Sequence, residues 1–206
     1  MGEVWKPDVV VSMVVCRFWE FKEVQLNYTK MGQEFVCASS PTWLPPLSGF
    51  VKYNIDANFQ LHSTLGGGGV VFRDSNGTIL YTVMFKQFLC SSALVAEAIS
   101  FHHAIYWARS LGYQHVCFES DAKLVVNALA EGSSCPTKIT SVVFTINREL
   151  QAFSRTLLSR VQRSGNRVAH ALAQLSREPL DFDRVFETFP PLIAALALGD
   201  AVGFHV

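Results

Sequence analysis

A chain of 206 residues has room for one domain of ordinary size with additional segments at its ends. Half of the residues are hydrophobic and only 17% are charged, which excludes a disordered chain. Lys plus Arg and Asp plus Glu number 17 each, so no net field attracts nucleic acid and any such binding must come from a local patch.

The cysteines and the apolar runs bear on where the chain works. Its five cysteines are scattered and form neither a CxxC pair nor a Cys/His spacing typical of a metal site. This distribution favours free thiols in a reducing compartment. The apolar run Val9–Cys16 has about half the length of a membrane-spanning helix. We therefore expect an intracellular protein, nuclear or cytoplasmic, that is neither secreted nor held in a membrane.

The first 48 residues are predicted to be an N-terminal extension. Helical spacing is weak between Val9 and Val24, and the residues that follow are polar and irregular. The stretch Ser39–Pro46 then breaks regular structure, because its prolines fix φ and remove backbone donors. The sequence places a domain boundary there and one domain at residues 49–176.

Three strands are predicted at the start of that domain. Apolar and polar residues alternate from Val51 to Asp56, with Asp56 on the polar face, as in a strand with one buried side. A second strand follows at Val70–Arg73, and the turn Asp74–Gly77 leads to a third at Thr78–Val83. This turn chemistry favours an antiparallel meander.

Four consecutive glycines, Gly66–Gly69, admit two interpretations. A phosphate-binding loop requires the N-terminus of a helix directly after the glycines. Here Val70–Phe72 continue as a strand, so the glycines are better explained as the turn of a hairpin.

The second half of the domain alternates helices with strands. Apolar residues at helical spacing from Leu94 to Ala108 predict a helix that Ser91 or Ser92 would cap and Gly112 would end. The remaining predicted elements are a buried strand at His115–Ser120, a helix at Asp121–Ala130, a linker at Gly132–Pro136, a helix at Ile139–Phe153, a strand at Thr156–Val161 and a helix capped by Asn166. The order is β-β-β-α-β-α-α-β-α.

Residues 177–206 are predicted to be a C-terminal extension. They include three prolines and an Ala/Leu-rich segment, Leu192–Leu198. This segment is expected to form a helix that packs back on the domain, and it carries no recognisable chemistry.

Five ordered motifs resemble the ribonuclease H family. They are the K-x-N-x-D strand at Lys52–Asp56, the G-V-V-x-R-D strand at Gly69–Asp74, the A-E helix at Ala96–Glu97, the strand end Glu119–Asp121, and N-R-V-A-H at Asn166–His170. With Trp43–Pro46 ahead of the first strand, the chain is similar to the ribonuclease H type-1 domains associated with reverse transcriptases of plant non-LTR retroelements. The resemblance implies an α/β fold of the ribonuclease H type, a five-stranded mixed sheet flanked by helices.

The acidic residues Asp56, Glu97 and Asp121 form the predicted site. Asp56 lies on the polar face of its strand, Asp121 directly follows the strand expected beside it, and Glu97 lies on the helix that crosses this sheet. Three carboxylates gathered in this way repel one another unless a cation neutralises them. Their hard oxygen ligands select Mg²⁺ or Mn²⁺, and a pair of such ions can hydrolyse a phosphodiester.

Each acid also has a structural explanation. Asp121 alone is typical of a turn or cap, Glu97 of a helix acid that complements the macrodipole, and Asp56 of an edge-strand charge. We favour the metal site, because these explanations would have to hold at all three positions at once.

The sequence departs from the wider family in its last helix. His170 occupies the position at which many ribonucleases H carry a fourth carboxylate. Imidazole suits Zn²⁺, Mn²⁺ or Fe²⁺ better than Mg²⁺, so the second metal would be weaker or shifted toward Mn²⁺. The alternative is that His170 is an exposed polar residue on an apolar helix.

The loop before that helix lacks the histidine found in some family members and carries arginines instead. Arg160, Arg163 and Arg167 are close enough in sequence to contact phosphates, although a solvated surface is the plain alternative.

Two functions from different classes follow. The first is a metal-dependent endonuclease that cuts the RNA strand of RNA:DNA hybrids, with Asp56, Glu97, Asp121 and His170 as metal ligands and catalytic residues. Mg²⁺, or Mn²⁺, would be its cofactor, and no small-molecule cofactor is expected. The second is a retroelement-derived domain, weakly active or inactive, that binds nucleic acid or a protein partner.

Overall fold

A computed structural model describes residues 33–131, 135–178, 181–186 and 189–202. The predicted helix at Val9–Val24 and residues 132–134 of the predicted linker lie outside this description. None of the described helices is long and apolar enough to cross a bilayer.

The described residues form seven strands, five α-helices and two short 3₁₀ turns. The strands are β1 Gln33–Ser40, β2 Val51–Gln60, β3 Leu65–Arg73, β4 Ile79–Leu89, β5 His115–Ser120, β6 Arg155–Val161 and β7 Arg184–Phe186. The helices are α1 Ala93–Ser110, α2 Lys123–Glu131, α3 Thr140–Leu150, α4 Arg167–Leu175 and α5 Pro191–Val202, with 3₁₀ turns at Thr137–Ile139 and Arg163–Gly165.

The strands form one mixed sheet in the order β1-β6-β5-β2-β3-β4-β7. Strand β2 pairs antiparallel with β3 and parallel with β5, so the meander and the β-to-α crossover meet at β2. The predicted α/β fold class and element order are confirmed. The sheet has two more strands than the five predicted, because β1 and β7 add to its edges from outside residues 49–176.

The prediction of irregular chain before the prolines is wrong for residues 33–40. Strand β1 pairs in parallel with β6, with Gln33 opposite Thr156 and Ser40 opposite Val161. The open edge of β6 offers backbone donors and acceptors to any extended segment that reaches it. Local sequence pattern does not reveal such a partner.

The prediction of a hairpin turn at Gly66–Gly69 is also wrong. The turn lies earlier, at residues 61–64, where Thr64 has a φ of 52°, and all four glycines lie inside β3. A Cβ on Gly68 would collide with Ser100 of α1, and one on Gly69 with Leu172 of α4. The glycines therefore allow two helices to approach the opposite faces of β3.

Helices cover both faces of the sheet. Helices α1, α2 and α3 cover one face, where the larger apolar cluster includes Tyr53, Phe72 and Phe118. Ser92 caps α1, as predicted, by accepting a hydrogen bond from the Val95 amide at 3.4 Å. The alternation in β2 directs Tyr53 into this core and leaves its polar residues facing the opposite side.

Helices α4 and α5 cover the opposite face with a smaller apolar cluster. Ile193 of α5 packs with Val168 and Leu172 of α4 against the sheet. The predicted C-terminal helix therefore forms and packs back on the domain. Because the apolar cluster here is small, the polar side chains of β2 make up much of this layer.

Candidate active site

Strand pairing brings Asp56 and Asp121 to one edge of the sheet. In the parallel pair of β2 and β5, Ile55 lies opposite Ser120, so the next residue of each strand is an aspartate. This parallel register places the two carboxylates at the same level of the sheet, next to each other. Glu97 reaches the same region from α1, the helix that crosses β2 on the other face.

The three carboxylates act on one another electrostatically. Burial raises the pKa of Asp56 to about 7, with a further contribution from the negative charge of Asp121, while the hydrogen bond from His170 lowers it. Burial also raises the pKa of Glu97 well above its usual range, and the charges of Asp56 and Asp121 add to this. Burial and the neighbouring negative charges therefore disfavour the ionised forms of Asp56 and Glu97 in the metal-free protein.

His170 contacts this cluster from α4. Its Nδ1 lies 2.8 Å from Oδ2 of Asp56, and its Nε2 lies 3.0 Å from a guanidinium nitrogen of Arg163. The same guanidinium nitrogen also lies 3.4 Å from Nδ1, so Arg163 donates to the ring from a position between its two nitrogens, while Nδ1 is hydrogen-bonded to Asp56. Of the predicted site residues, Asp56, Glu97, Asp121 and His170 thus come together.

Asn166 is a site residue whose role the sequence reasoning missed. It holds the predicted N-cap position of α4, but its side chain makes no capping hydrogen bond. Its Nδ2 instead donates to Oδ1 of Asp121 at 3.1 Å and to the carbonyl of Ile55 at 2.8 Å. One side chain therefore ties α4 to the middle of β2 and to the residue that follows β5.

A layer of buried polar residues, missed in the sequence, lies behind the aspartates. Glu119 accepts hydrogen bonds from Lys52 at 2.9 Å and from Asn54 at 2.7 Å. Trp43, ahead of the first strand, donates from its indole to Asn54 at 2.6 Å. Asn54 and Glu119 stand two residues before the aspartates, so the period of a strand places them on the same face. The two-residue spacing from Asn54 to Asp56 and from Glu119 to Asp121 is the feature of the sequence that could have identified this layer.

The three arginines have different surroundings. Arg163 donates to His170, and Arg167 donates to Asp200 of α5 at 3.1 Å. Arg160 lies opposite Ser120 in the pairing of β5 with β6, at the sheet edge that carries Asp121, and its buried Nε has no hydrogen-bond partner among the described residues.

Comparison with known proteins decides the family. The family model described as reverse transcriptase-like matches residues 54–176, which include all four predicted site residues. The chain belongs to the reverse transcriptase-like family. It carries a ribonuclease H-like domain, as its motifs predicted.

One relative is a protein of Arabidopsis thaliana that has been named as a ribonuclease H protein by inference. It is 26% identical over 161 residues, which make up 78% of this chain and 26% of the relative. The chain therefore spans about a quarter of the length of this curated relative.

Two solved structures share the fold. Ribonuclease H1 of the archaeon Halobacterium salinarum has a TM-score of 0.57 at 19% identity, covering 63% of this chain and 98% of that one. A ribonuclease H1 isolated from compost, in complex with an RNA/DNA hybrid, has a TM-score of 0.52 at 17% identity, covering 62% and 94%. These likenesses confirm the ribonuclease H-like fold.

The side chains at the candidate site have the chemistry that a hard divalent cation prefers in its ligands. They offer three carboxylates, and Oε2 of Glu97 is buried without a hydrogen-bond partner among the described residues. Those residues contain no group of three or more His, Cys, Asp or Glu already spaced around a metal position. Asp56 is bonded to His170 instead, so binding a cation requires these side chains to rearrange.

The raised pKa of Asp56 makes stability depend on pH. The folded state holds the Asp56 proton up to about pH 7, whereas the unfolded chain releases it near the ordinary pKa of 3.8. Without metal, stability should therefore fall as pH rises from about 4 to about 7. At pH 7.5 Asp56→Asn should exceed wild type in unfolding free energy by about 2 to 3 kcal/mol, a gain that shrinks near pH 4.

Urea titrations in the presence of a chelator measure this difference. Asp121→Asn should act in the same direction, because it removes one of the charges that raise the pKa of Asp56. A loss of stability in Asp56→Asn at pH 7.5 would show that the carboxylate stabilises the fold and contradict a role as a strained ligand.

Proposed function

We propose that the ribonuclease H-like domain is a metal-dependent endonuclease that hydrolyses the RNA strand of RNA:DNA hybrids. The observation that carries this proposal is the meeting of Asp56, Glu97 and Asp121, three carboxylates on separate elements, at one edge of the sheet. Such a cluster is costly without a cation and is suited to one. The compost ribonuclease H1, which shares the fold, was solved with an RNA/DNA hybrid, and this supports the choice of substrate.

Mg²⁺, with Mn²⁺ as an alternative, is the proposed cofactor. Asp56, Glu97 and Asp121 would hold it, with His170 at a second position, and bound ions would activate water and stabilise the leaving oxygen of a phosphodiester. The chain's own residues prepare this arrangement. Asn166 orients the Asp121 carboxylate by its hydrogen bond, and the hydrogen bond between Nδ1 of His170 and Oδ2 of Asp56 holds Asp56 in place in the metal-free protein.

Selection of a hybrid would depend on shape. Proteins recognise A-like duplexes through the minor groove and the 2′-hydroxyl groups rather than through base edges. The chain has no net charge, so the grip on phosphates must be local. We assign it to Arg160 and Arg163 at the site edge and, to a lesser degree, to Arg167, whose guanidinium is shared with Asp200.

A second candidate function is binding of nucleic acid or a protein partner without cleavage. The observation that favours it is that both ring nitrogens of His170 are already engaged, one by Asp56 and the other by Arg163. Held in this way, His170 offers no free ring nitrogen to a cation until at least one of these two contacts breaks.

Cleavage of a labelled RNA:DNA hybrid in Mg²⁺ and in Mn²⁺ tests the first function. The purified chain should cut the RNA strand, leaving 5′-phosphate and 3′-hydroxyl ends. Asp121→Asn should lower the rate by roughly 100-fold or more, the cost of losing one main electrostatic contact. Asp74→Asn is the matched control, because Asp74 binds backbone amides in the β3–β4 turn and should leave the rate unchanged. Folded wild type that cuts in neither metal would exclude the enzyme and leave the binding function.

A second variant tests the place of His170. His170→Asp supplies a fourth carboxylate beside Asp56 and should raise the ratio of the Mg²⁺-supported to the Mn²⁺-supported rate, because the added hard oxygen suits Mg²⁺ better. His170→Asn, which adds no charge, is its control and should not raise this ratio. An equal ratio in His170→Asp and wild type would place residue 170 outside the metal coordination.

A further inference from the structure

Arg73 of β3 is a charged residue in the interior of the domain. Its side chain is 1% exposed and lies on the sheet face that α4 and α5 cover. The guanidinium carbon stacks 3.8 Å from the ring centre of Trp43, and one nitrogen donates to Oδ1 of Asn54 at 3.3 Å. A buried cation of this kind is costly unless an anion pairs with it.

The anion comes from outside the family match. Asp200 of α5, which lies after the matched residues 54–176, accepts from Arg73 through Oδ2 at 2.8 Å and from Arg167 through Oδ1 at 3.1 Å. Its side chain is 3% exposed. A Cβ on the neighbouring Gly199 would lie 3.3 Å from the Arg167 guanidinium, so this glycine leaves room for the contact. One carboxylate therefore joins β3 to α4.

Both arginines lie next to residues of the candidate active site or of the layer behind it. Arg167 is the first residue of α4, so it directly follows Asn166, which holds Asp121, and it stands one turn before His170, which holds Asp56. Arg73 contacts Asn54, which stands two residues before Asp56 on the same face of β2.

The surface under α4 gives such a connection a role. The strand beneath this helix presents glycines, and Gly69 lies directly against Leu172 of α4. Glycines permit close approach, but they provide no side-chain ridges that fix a helix along a strand. Hydrogen bonds from Asn166 and Asn58 tie α4 to β2, and the charge-assisted hydrogen bonds of Asp200 add a connection to β3.

We propose that Asp200 is a positioning residue for the candidate active site: by bridging Arg73 and Arg167 it sets where α4 places Asn166 and His170 over the two aspartates. The assignment to catalysis rests on the proposed function, whereas the effect on the position of α4 does not. On this proposal, the C-terminal helix α5 contributes to the geometry of the candidate active site.

The variant Asp200→Asn tests the proposal, with Asp183→Asn as its matched control. Asp183 is also in the C-terminal segment and also accepts two hydrogen bonds, at 2.9 Å from the Lys86 amide and 2.9 Å from the Trp107 indole, and both of these donors lie outside α4. We expect Asp200→Asn to lower kcat by about tenfold with little change in KM, as for loss of a residue that orients a ligand. Asp183→Asn should leave kcat unchanged. Rates are compared well below the melting temperature of each variant.

NMR gives a readout that is independent of catalysis. The side-chain amide signal of Asn166 and the ring signals of His170 should shift in Asp200→Asn and stay in place in Asp183→Asn. If wild type cuts no hybrid, the proposed function fails and these signals alone decide the positioning role. Signals and kcat that match wild type in Asp200→Asn would overturn the proposal.

A second variant covers the case in which Asp200→Asn does not fold. Arg73→Met combined with Asp200→Leu replaces both buried charges with apolar side chains of somewhat larger combined volume, a kind of exchange that domains commonly tolerate. It also breaks the contact with Arg167. Shifted Asn166 and His170 signals in this double variant would support the proposal, and unshifted signals would overturn it.

Discussion

Polar and charged side chains buried between the sheet and helices α4 and α5 impose the main constraint on this domain. Buried charges are tolerated where they are paired and hydrogen-bonded. Lys52 meets Glu119, and Arg73 meets Asp200, so much of the layer is balanced by ion pairs. At the sheet edge, Asp56 and Asp121 meet Glu97 of α1, and burial, with a further contribution from the neighbouring carboxylate charges, raises the pKa values of Asp56 and Glu97. The divalent cation proposed for this site would neutralise these carboxylates.

The same layer connects the domain to its flanking segments. Trp43 precedes the matched residues 54–176 and Asp200 follows them, yet both contact Arg73 in the interior. Strands β1 and β7 also join the sheet from outside the predicted 49–176 domain. The folded body therefore takes in residues on both sides of the predicted boundaries, and one buried arginine receives an aromatic ring from one side and a carboxylate from the other.

Regular periodicity accounts for what the sequence predicted well. Alternation in β2 identified the polar face that carries Asp56, and the buried strand before Asp121 identified its parallel neighbour. The glycines misled the prediction, because the same residues serve a tight turn and a close helix contact, and only the position of Leu172 separates the two. Local pattern gives no sign of such a distant contact.

Long-range polar pairing was the other limit. Asn166 has the sequence position of a helix cap, but its side chain binds Asp121, which is distant in sequence. Asp200 is the one acidic residue of the Ala/Leu-rich helix α5, and this isolated acid is visible in the sequence. Its partner, Arg73 of β3, can be identified only from the fold. Edge strands depend in the same way on partners that local sequence does not specify.

Thermal unfolding in increasing Mn²⁺ tests the metal site most directly, since a ligand that binds only the folded state raises the melting temperature with its concentration. Wild type should gain melting temperature as Mn²⁺ rises, because the cation relieves the repulsion among Asp56, Glu97 and Asp121. In Asp121→Asn, which has lost one ligand and part of the repulsion, the gain should be absent or much smaller. Equal gains in the two proteins, or no gain in wild type, would contradict a metal site at this edge of the sheet.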